Sequence, residues 1–282
     1  MSLILVLPMV AVSAGQGGVM RTDSYALVQS ALANETRAAT DTQHPMRYRL
    51  RKTSPRLTST KEIFETRDGA VARLVAINDS PLTPADEQKE QARLDLLLGD
   101  PGRQRHRKQT EEEDTARAMK VLRALPFAFL YQYKGPGETP SGKVEKFTFR
   151  PNPKFNPVDL ETQALTHMTG EIWIDPSEQR VVHLEGHLTH DVDFGWGILG
   201  RLYKGGWIVI EQAPVSKNQW RIVHFQMSIS ARVLFKTKLF ETTEDESRYA
   251  PVPVGLKYQQ AIRMLRAEDA NASKAVEASA KR

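Results

Sequence analysis

The sequence predicts an α+β fold, a long curved antiparallel sheet (a half-barrel) covered by a few helices. Three observations predict it. From Phe127 almost to Pro251 the chain is a succession of strand-like segments joined by short turns. An earlier strand group, Met46 to Ile77, contains a hairpin signal, Asp68-Gly69. Between the two groups lie two stretches with helical spacing and helix-start signals.

In chain order, Asp23 is a candidate cap for a helix running to about Ala39, with Tyr25, Val28 and Leu32 along one stripe. Met46 to Thr53 then alternates Tyr48 and Leu50 with Arg47, Arg49 and Arg51, the period of a strand with one wet face. Ser59–Thr66 and Ala70–Ile77 flank the Asp68-Gly69 turn. Thr83-Pro84 opens a helix, and Asp86 and Glu87 suit its positive end. It stops near Gly99-Asp100-Pro101-Gly102. Thr110 with Glu113 matches a capping box for a second helix with the stripe Ala116, Met119, Leu122 and Leu125. The basic run Arg103 to Lys108 between them reads as a solvated inter-helix segment rather than a nucleic-acid patch.

In the second strand group, Phe127–Tyr133 and Val144–Arg150 bracket a Gly/Pro-rich turn from Gly135 to Gly142. A short helical piece follows near Leu160. Gly170–Asp175 and Arg180–Leu188 form a hairpin, and Gly206–Gln212, Trp220–Ser230 and Val233–Thr242 complete the sheet. Short turns between consecutive strands favour a meander over a doubly wound parallel sheet. Tyr258–Arg266 reads as a helix, and the Ala-rich end to Arg282 as a frayed tail.

Composition bounds the function. The chain has 282 residues, enough for a substantial core, and its net charge of +5 is too small to argue for either nucleic acid or an anionic membrane as a partner. It has no cysteine, which excludes disulfides, thiolate metal sites, thiol catalysis and a lipid-modified N-terminal cysteine. Leu3 to Val12 is an apolar run followed by Val12-Ser13-Ala14, a pattern signal peptidase could cut before Gly15. Residues 1–14 therefore read as a signal peptide and the protein as periplasmic; the alternative is a buried N-terminal strand. The expected organisation is a domain over 22–255 and a C-terminal helix with a flexible tail over 256–282.

No motif specifies catalysis, a metal or a cofactor. His183, Glu185 and His187 alternate on one strand face, with the two histidines about 13 Å apart, too far to share a metal. They read as the polar face of a half-buried strand. Gly195-Trp196-Gly197-Ile198-Leu199-Gly200 matches the letters of a dinucleotide fingerprint without its strand–helix context, so no nucleotide site is assigned. The same segment is the best candidate for ligand or membrane contact. Phe194, Trp196, Ile198, Leu199, Tyr203 and Trp207 crowd between glycines, with Arg201 and Lys204 nearby. The alternative is a loop that tucks these side chains into the core.

The stretch Gly170-Glu171-Ile172-Trp173-Ile174-Asp175-Pro176, followed by Arg180 to Gly186, resembles the strand–turn–strand unit of the LolA/LolB-like lipoprotein-sorting superfamily, in its exported bacterial branch. The resemblance implies an incomplete β-barrel closed by helices over an apolar cavity, with a lipid or acyl chain held between sheet and helices. The basic helical insertion and the missing cysteine depart from that pattern. The resulting expectation is a non-catalytic periplasmic carrier for an apolar or amphipathic ligand. Two alternatives stay open: a cell-envelope interaction or sensor module with a protein partner, and a hydrolase built around His183 to Asp193.

Overall fold

In the computed structural model, which describes residues 17–194, 200–233 and 235–267, the first and last long strands meet in the middle of one sheet. The signal-peptide assignment, the tail beyond 267 and the loop residues Trp196, Ile198 and Leu199 lie outside the described residues.

Helix α1 (Gly17–Ala38) precedes β1 (Met46–Ser54), β2 (Leu57–Phe64), β3 (Val71–Ile77) and the two-residue β4 (Ser80–Pro81). Two helices follow, α2 (Pro84–Gly99) and α3 (Pro101–Ala128). Next come β5 (Phe129–Thr139), β6 (Gly142–Pro151), the single turn α4 (Leu160–Gln163) and a 3-10 turn Ala164–His167. The rest of the sheet is β7 (Met168–Asp175), β8 (Arg180–Leu188), β9 (Val192–Phe194), β10 (Gly200–Leu202), β11 (Trp207–Ser216), β12 (Gln219–Val233) and β13 (Lys236–Pro251). A helix over 258–267, α5, ends the described chain. No described helix is long and apolar enough to cross a membrane.

All described pairings are antiparallel, and the main path runs β4-β3-β2-β1-β13-β12-β11-β8-β7-β6-β5, an open curved sheet. It is two meanders joined by β1 against β13, with α2 and α3 carrying the chain from one edge to the other. The expected half-barrel is thus present and the strands from Phe129 on form the expected meander; the pairing of β1 with β13, which joins it to the first strand group, has no signal in the sequence.

Local chemistry explains the other differences from expectation. Asp23 lies inside α1, which already runs from Gly17, so it is not a cap. Thr110 is not a cap either. Asp100 caps α3 by accepting from Gly102 N and Arg103 N, and Pro101 supplies the first turn. The basic run is therefore helical, and the Thr110 hydroxyl donates to the His106 carbonyl. Pro126 sits two residues before the end of α3. The last carbonyls of the helix, which have no intrahelical partner, are taken by Asn152, its side chain donating to Phe127 O at 2.9 Å and its backbone N–H to Ala128 O at 2.8 Å. The Gly135–Gly142 stretch is strand except for the turn at Pro140 and Ser141. Gly135 (φ 121°) lies at a bulge in β5, and Pro136 follows it on this edge strand, the position in a sheet where proline is tolerated. Asn78 and Asp79 (φ 49° and 60°) make the unanticipated β3–β4 turn.

Two cores hold the layers. Call the face that carries α1 the inner face. On it, Val28, Ala31 and Leu32 of α1 and the second half of α3 pack against Phe147, Phe149 and Ile172. At the other end, Leu94 and Leu97 of α2 and Ala261, Ile262 and Leu265 of α5 pack with Phe64 and Val71. Phe64 and Val71 point opposite to the neighbouring Ile63–Tyr48 pair, which is on the inner face. Helix α2 also guards the β3 edge. Glu90 accepts Leu74 N–H at 2.9 Å, and Arg93 donates to Ala72 O at 2.6 Å.

Candidate apolar inner face

The inner face of the central strands has no core of its own. Register places Leu184 opposite Ile210 and Ile210 opposite Phe225. One step along, Ile208 lies between Gly186 and Met227, and Ile229 pairs with Phe240. Paired residues share a face, so these side chains form one apolar patch across β8, β11, β12 and β13. Ile208, Ile210, Phe225, Met227 and Ile229 are all half-buried, and none belongs to either large core among the described residues. Beside the patch, Gly170 and Gly186 face each other on β7 and β8.

Helix α3 bridges this face. Its start is fixed at the β2–β3 turn, where Gln104 donates to Asp68 O, Lys108 donates to Arg67 O and Glu111 accepts from Ala70 N. Its end is fixed on the other core through Leu122 and Leu125, with Lys120 beside Asp159 and Glu161. In the strand order these anchors lie on either side of β1, β13, β12 and β11. Residues 112–118, two full helical turns, are all exposed. A helix packed on a sheet buries one stripe; this span buries none. The arrangement is a polar strut across an apolar face that is only partly covered.

Next to the patch lies a cluster of acids and tyrosines. Tyr48 and Tyr249 stack with centroids 5.2 Å apart, and the Tyr249 hydroxyl contacts Glu246. Glu246 pairs with Leu50. Its carboxyl is pushed up to about 7, chiefly by burial, with Glu244 and Glu65 adding and Arg221 opposing. Burial likewise raises Glu65 and both tyrosines. A raised carboxyl favours the folded state fully below its unfolded value of 4.5, and the advantage is lost as pH rises from there through about 7. Glu246→Gln is therefore expected to match the parent at pH 4 and to exceed it at pH 8, by up to about 2 kcal/mol after allowing for residual solvent. Chemical denaturation at the two pH values measures this.

The residues singled out from sequence fall on both faces. Phe194, half-buried, pairs with Gly200, which pairs with Val233; this row is on the inner face. The Tyr203 N–H donates to Ser230 O, and Trp207 pairs with Ser228 and His187, which sets both side chains on the opposite face. Around Phe194, Arg201 holds Asp193 at 2.5 Å and Asp191 at 3.4 Å. The strand histidines form a polar face: His187 contacts Glu185 at 2.6 Å, and His183 stacks on Trp173 at 4.5 Å. Among the described residues no group of three or more His, Asp or Glu side chains is placed to hold a metal.

Sequence reading ended one strand at Ser230 and began the next at Val233. The structure corrects this. β12 runs to Val233, where β10 pairs with it over residues 231–233, and Val233 pairs with Lys236, so the hairpin turns between those two residues. Two other recesses are polar or mixed. One, of 460 Å³, is lined by Arg37, Asp41, Arg180, Trp220 and Arg221; the other, of 610 Å³, by Tyr25, Tyr131, Tyr133, Phe147 and Arg150.

No protein-family description matches the chain, and no curated protein matches it. Among solved structures, a Vibrio parahaemolyticus domain described as outer membrane lipoprotein-sorting is similar at 10% identity and a TM-score of 0.31, over 82% of this chain and 96% of that one. MucB in complex with MucA(peri) is similar at 10% identity and a TM-score of 0.21, over 79% of this chain and 99% of that one. Likenesses this distant carry no weight, and the functional reading rests on the chain's own geometry.

Proposed function

We propose that this chain is a non-catalytic, exported binding or carrier protein that takes an apolar or amphipathic ligand, such as a lipid acyl chain, against the inner face of its sheet. The observation that carries this reading is the half-covered row Ile208, Ile210, Phe225, Met227 and Ile229, bridged by a helix whose middle packs on nothing. Apolar area left partly in water is stabilised by about 25 cal/mol for each Å² that a ligand covers. An acyl chain laid along this row would cover it without moving either core. Phe194, on the same face, and the neighbouring Trp196, Ile198 and Leu199 would form the mouth. The export part of this reading is supported by the apolar run Leu3 to Val12 and the small residues after it.

Titration of the full chain with a fluorescent fatty-acid analogue tests the reading. Met227→Lys and Ile210→Glu place a charge in the row and are expected to weaken binding about tenfold or more with an unchanged circular-dichroism spectrum. Absence of binding by the parent, or equal binding by both folded variants, would overturn it.

A further inference from the structure

The end of the β12–β13 hairpin stands apart from the rest of the sheet. β1 pairs with β13 only as far as Thr243, and β11 pairs with β12 only as far as Ser228. Beyond these points β13 has one partner, and β12 is flanked by the three-residue β10. Residues 228–240 read Ser-Ile-Ser-Ala-Arg-Val-Leu-Phe-Lys-Thr-Lys-Leu-Phe, with no acidic residue. Phe235 is 98% exposed, and Val233, Leu239 and Phe240 are 55%, 57% and 43% exposed. Lys236 and Lys238 are exposed beside them on the inner face. Of the nearby acids, Asp191 and Asp193 are engaged by Arg201, and Glu241 pairs with Ser228 on the face opposite Lys236 and Lys238.

We propose that this hairpin end docks on an anionic lipid bilayer, with Phe235 entering the acyl boundary and Lys236 and Lys238 meeting the headgroups. An apolar turn that protrudes, rather than lining a groove, suits insertion into a soft apolar layer, and its lysines are complementary to anionic lipid. Lysine stems can lie along the apolar layer while the ammonium groups stay at its surface. The surface also continues inward, since Phe240 pairs with Ile229 at the end of the apolar row. Docking goes beyond the carrier reading and does not require it.

The test uses the full chain and co-sedimentation with vesicles of equal parts phosphatidylglycerol and phosphatidylcholine, against phosphatidylcholine alone. The protein is expected to bind the anionic vesicles preferentially and to release as salt rises. Phe235→Ser, and separately Lys236→Gln with Lys238→Gln, should each lower the partition coefficient about tenfold while leaving fatty-acid binding and the melting temperature unchanged. Phe235→Trp should shift its emission to the blue on anionic vesicles. Undiminished vesicle binding by the serine and glutamine variants, no binding by the parent, or an unshifted tryptophan would overturn the proposal. So would a concentration-dependent dimer abolished by Phe235→Ser, which would make a second copy the occupant. Loss of fatty-acid binding through Met227→Lys with vesicle binding retained separates this surface from the inner face.

Discussion

Glu35→Ala is expected to cost about 3 to 5 kcal/mol of stability, the largest loss of any single side-chain truncation considered for this fold. Glu35 is buried on α1 and accepts from Arg180 Nε at 2.9 Å, Arg180 Nη2 at 2.8 Å and the Val181 backbone N–H at 2.9 Å. These bonds join residues 145 and 146 positions apart and fasten α1 to the start of β8. Truncation leaves a largely buried guanidinium and a buried backbone donor without their acceptor, which is why the cost exceeds that of an ordinary ion pair. The paired change Glu35→Leu with Arg180→Met removes both charges and should recover more than half of the loss. Urea denaturation of the single and double variants distinguishes a buried charge penalty from simple loss of packing. Equal losses in both would point to packing.

Gly170→Val is expected to disrupt the β7–β8 ladder and cost about 3 kcal/mol or more. A Cβ at Gly170 would sit 1.8 Å from the Glu185 carbonyl oxygen and 2.7 Å from the Phe149 ring. The first neighbour is backbone of the adjoining strand and cannot rotate away, so the strands must separate. Gly186→Ala provides the contrast. Its new Cβ meets the Met168 sulfur at 2.8 Å, the flexible end of a side chain, and about 1 kcal/mol is expected. Thermal melting of the two variants, with near-ultraviolet circular dichroism for core order, reads the difference. A Gly170 variant as stable as the parent would contradict the close approach of β7 to β8.

These two sites also mark what the sequence could and could not disclose. The hairpin Gly170–Leu188 was legible from alternation and its Pro176 turn, but nothing local reports that Gly170 meets the next strand's carbonyl. The helix opened by Thr83-Pro84 was legible because its cap and acidic first turn are adjacent in sequence; Thr83 does accept from Asp86 N. Helix α3 was misread at its start because residues 103–118 carry almost no apolar periodicity; the stripe it packs, Gln104, Lys108 and Glu111, is polar, and a helix without an apolar stripe looks like a solvated linker. The pairing of β1 with β13 spans nearly the whole domain and has no local signature. For the site, Phe194 was found from composition, whereas the row Ile208 to Ile229 looked like ordinary strand core. Its exposure follows only from where α1, α2 and α3 pack. Phe235 was missed because the hairpin tip was placed at residues 231–232, and the β10 pairing that extends β12 is not visible in sequence.

In the proposed complex an acyl chain lies on the inner face of β11 and β12 beneath α3. The most direct test is photo-crosslinking of the full chain with a diazirine-bearing fatty acid, followed by mapping of the adducts by mass spectrometry. Adducts are expected to concentrate on Ile208, Ile210, Phe225, Met227 and Ile229, to be displaced by unlabelled fatty acid and to be lost in Met227→Lys. Adducts confined to the opposite face, around Trp173, His183 and Glu211, would contradict it.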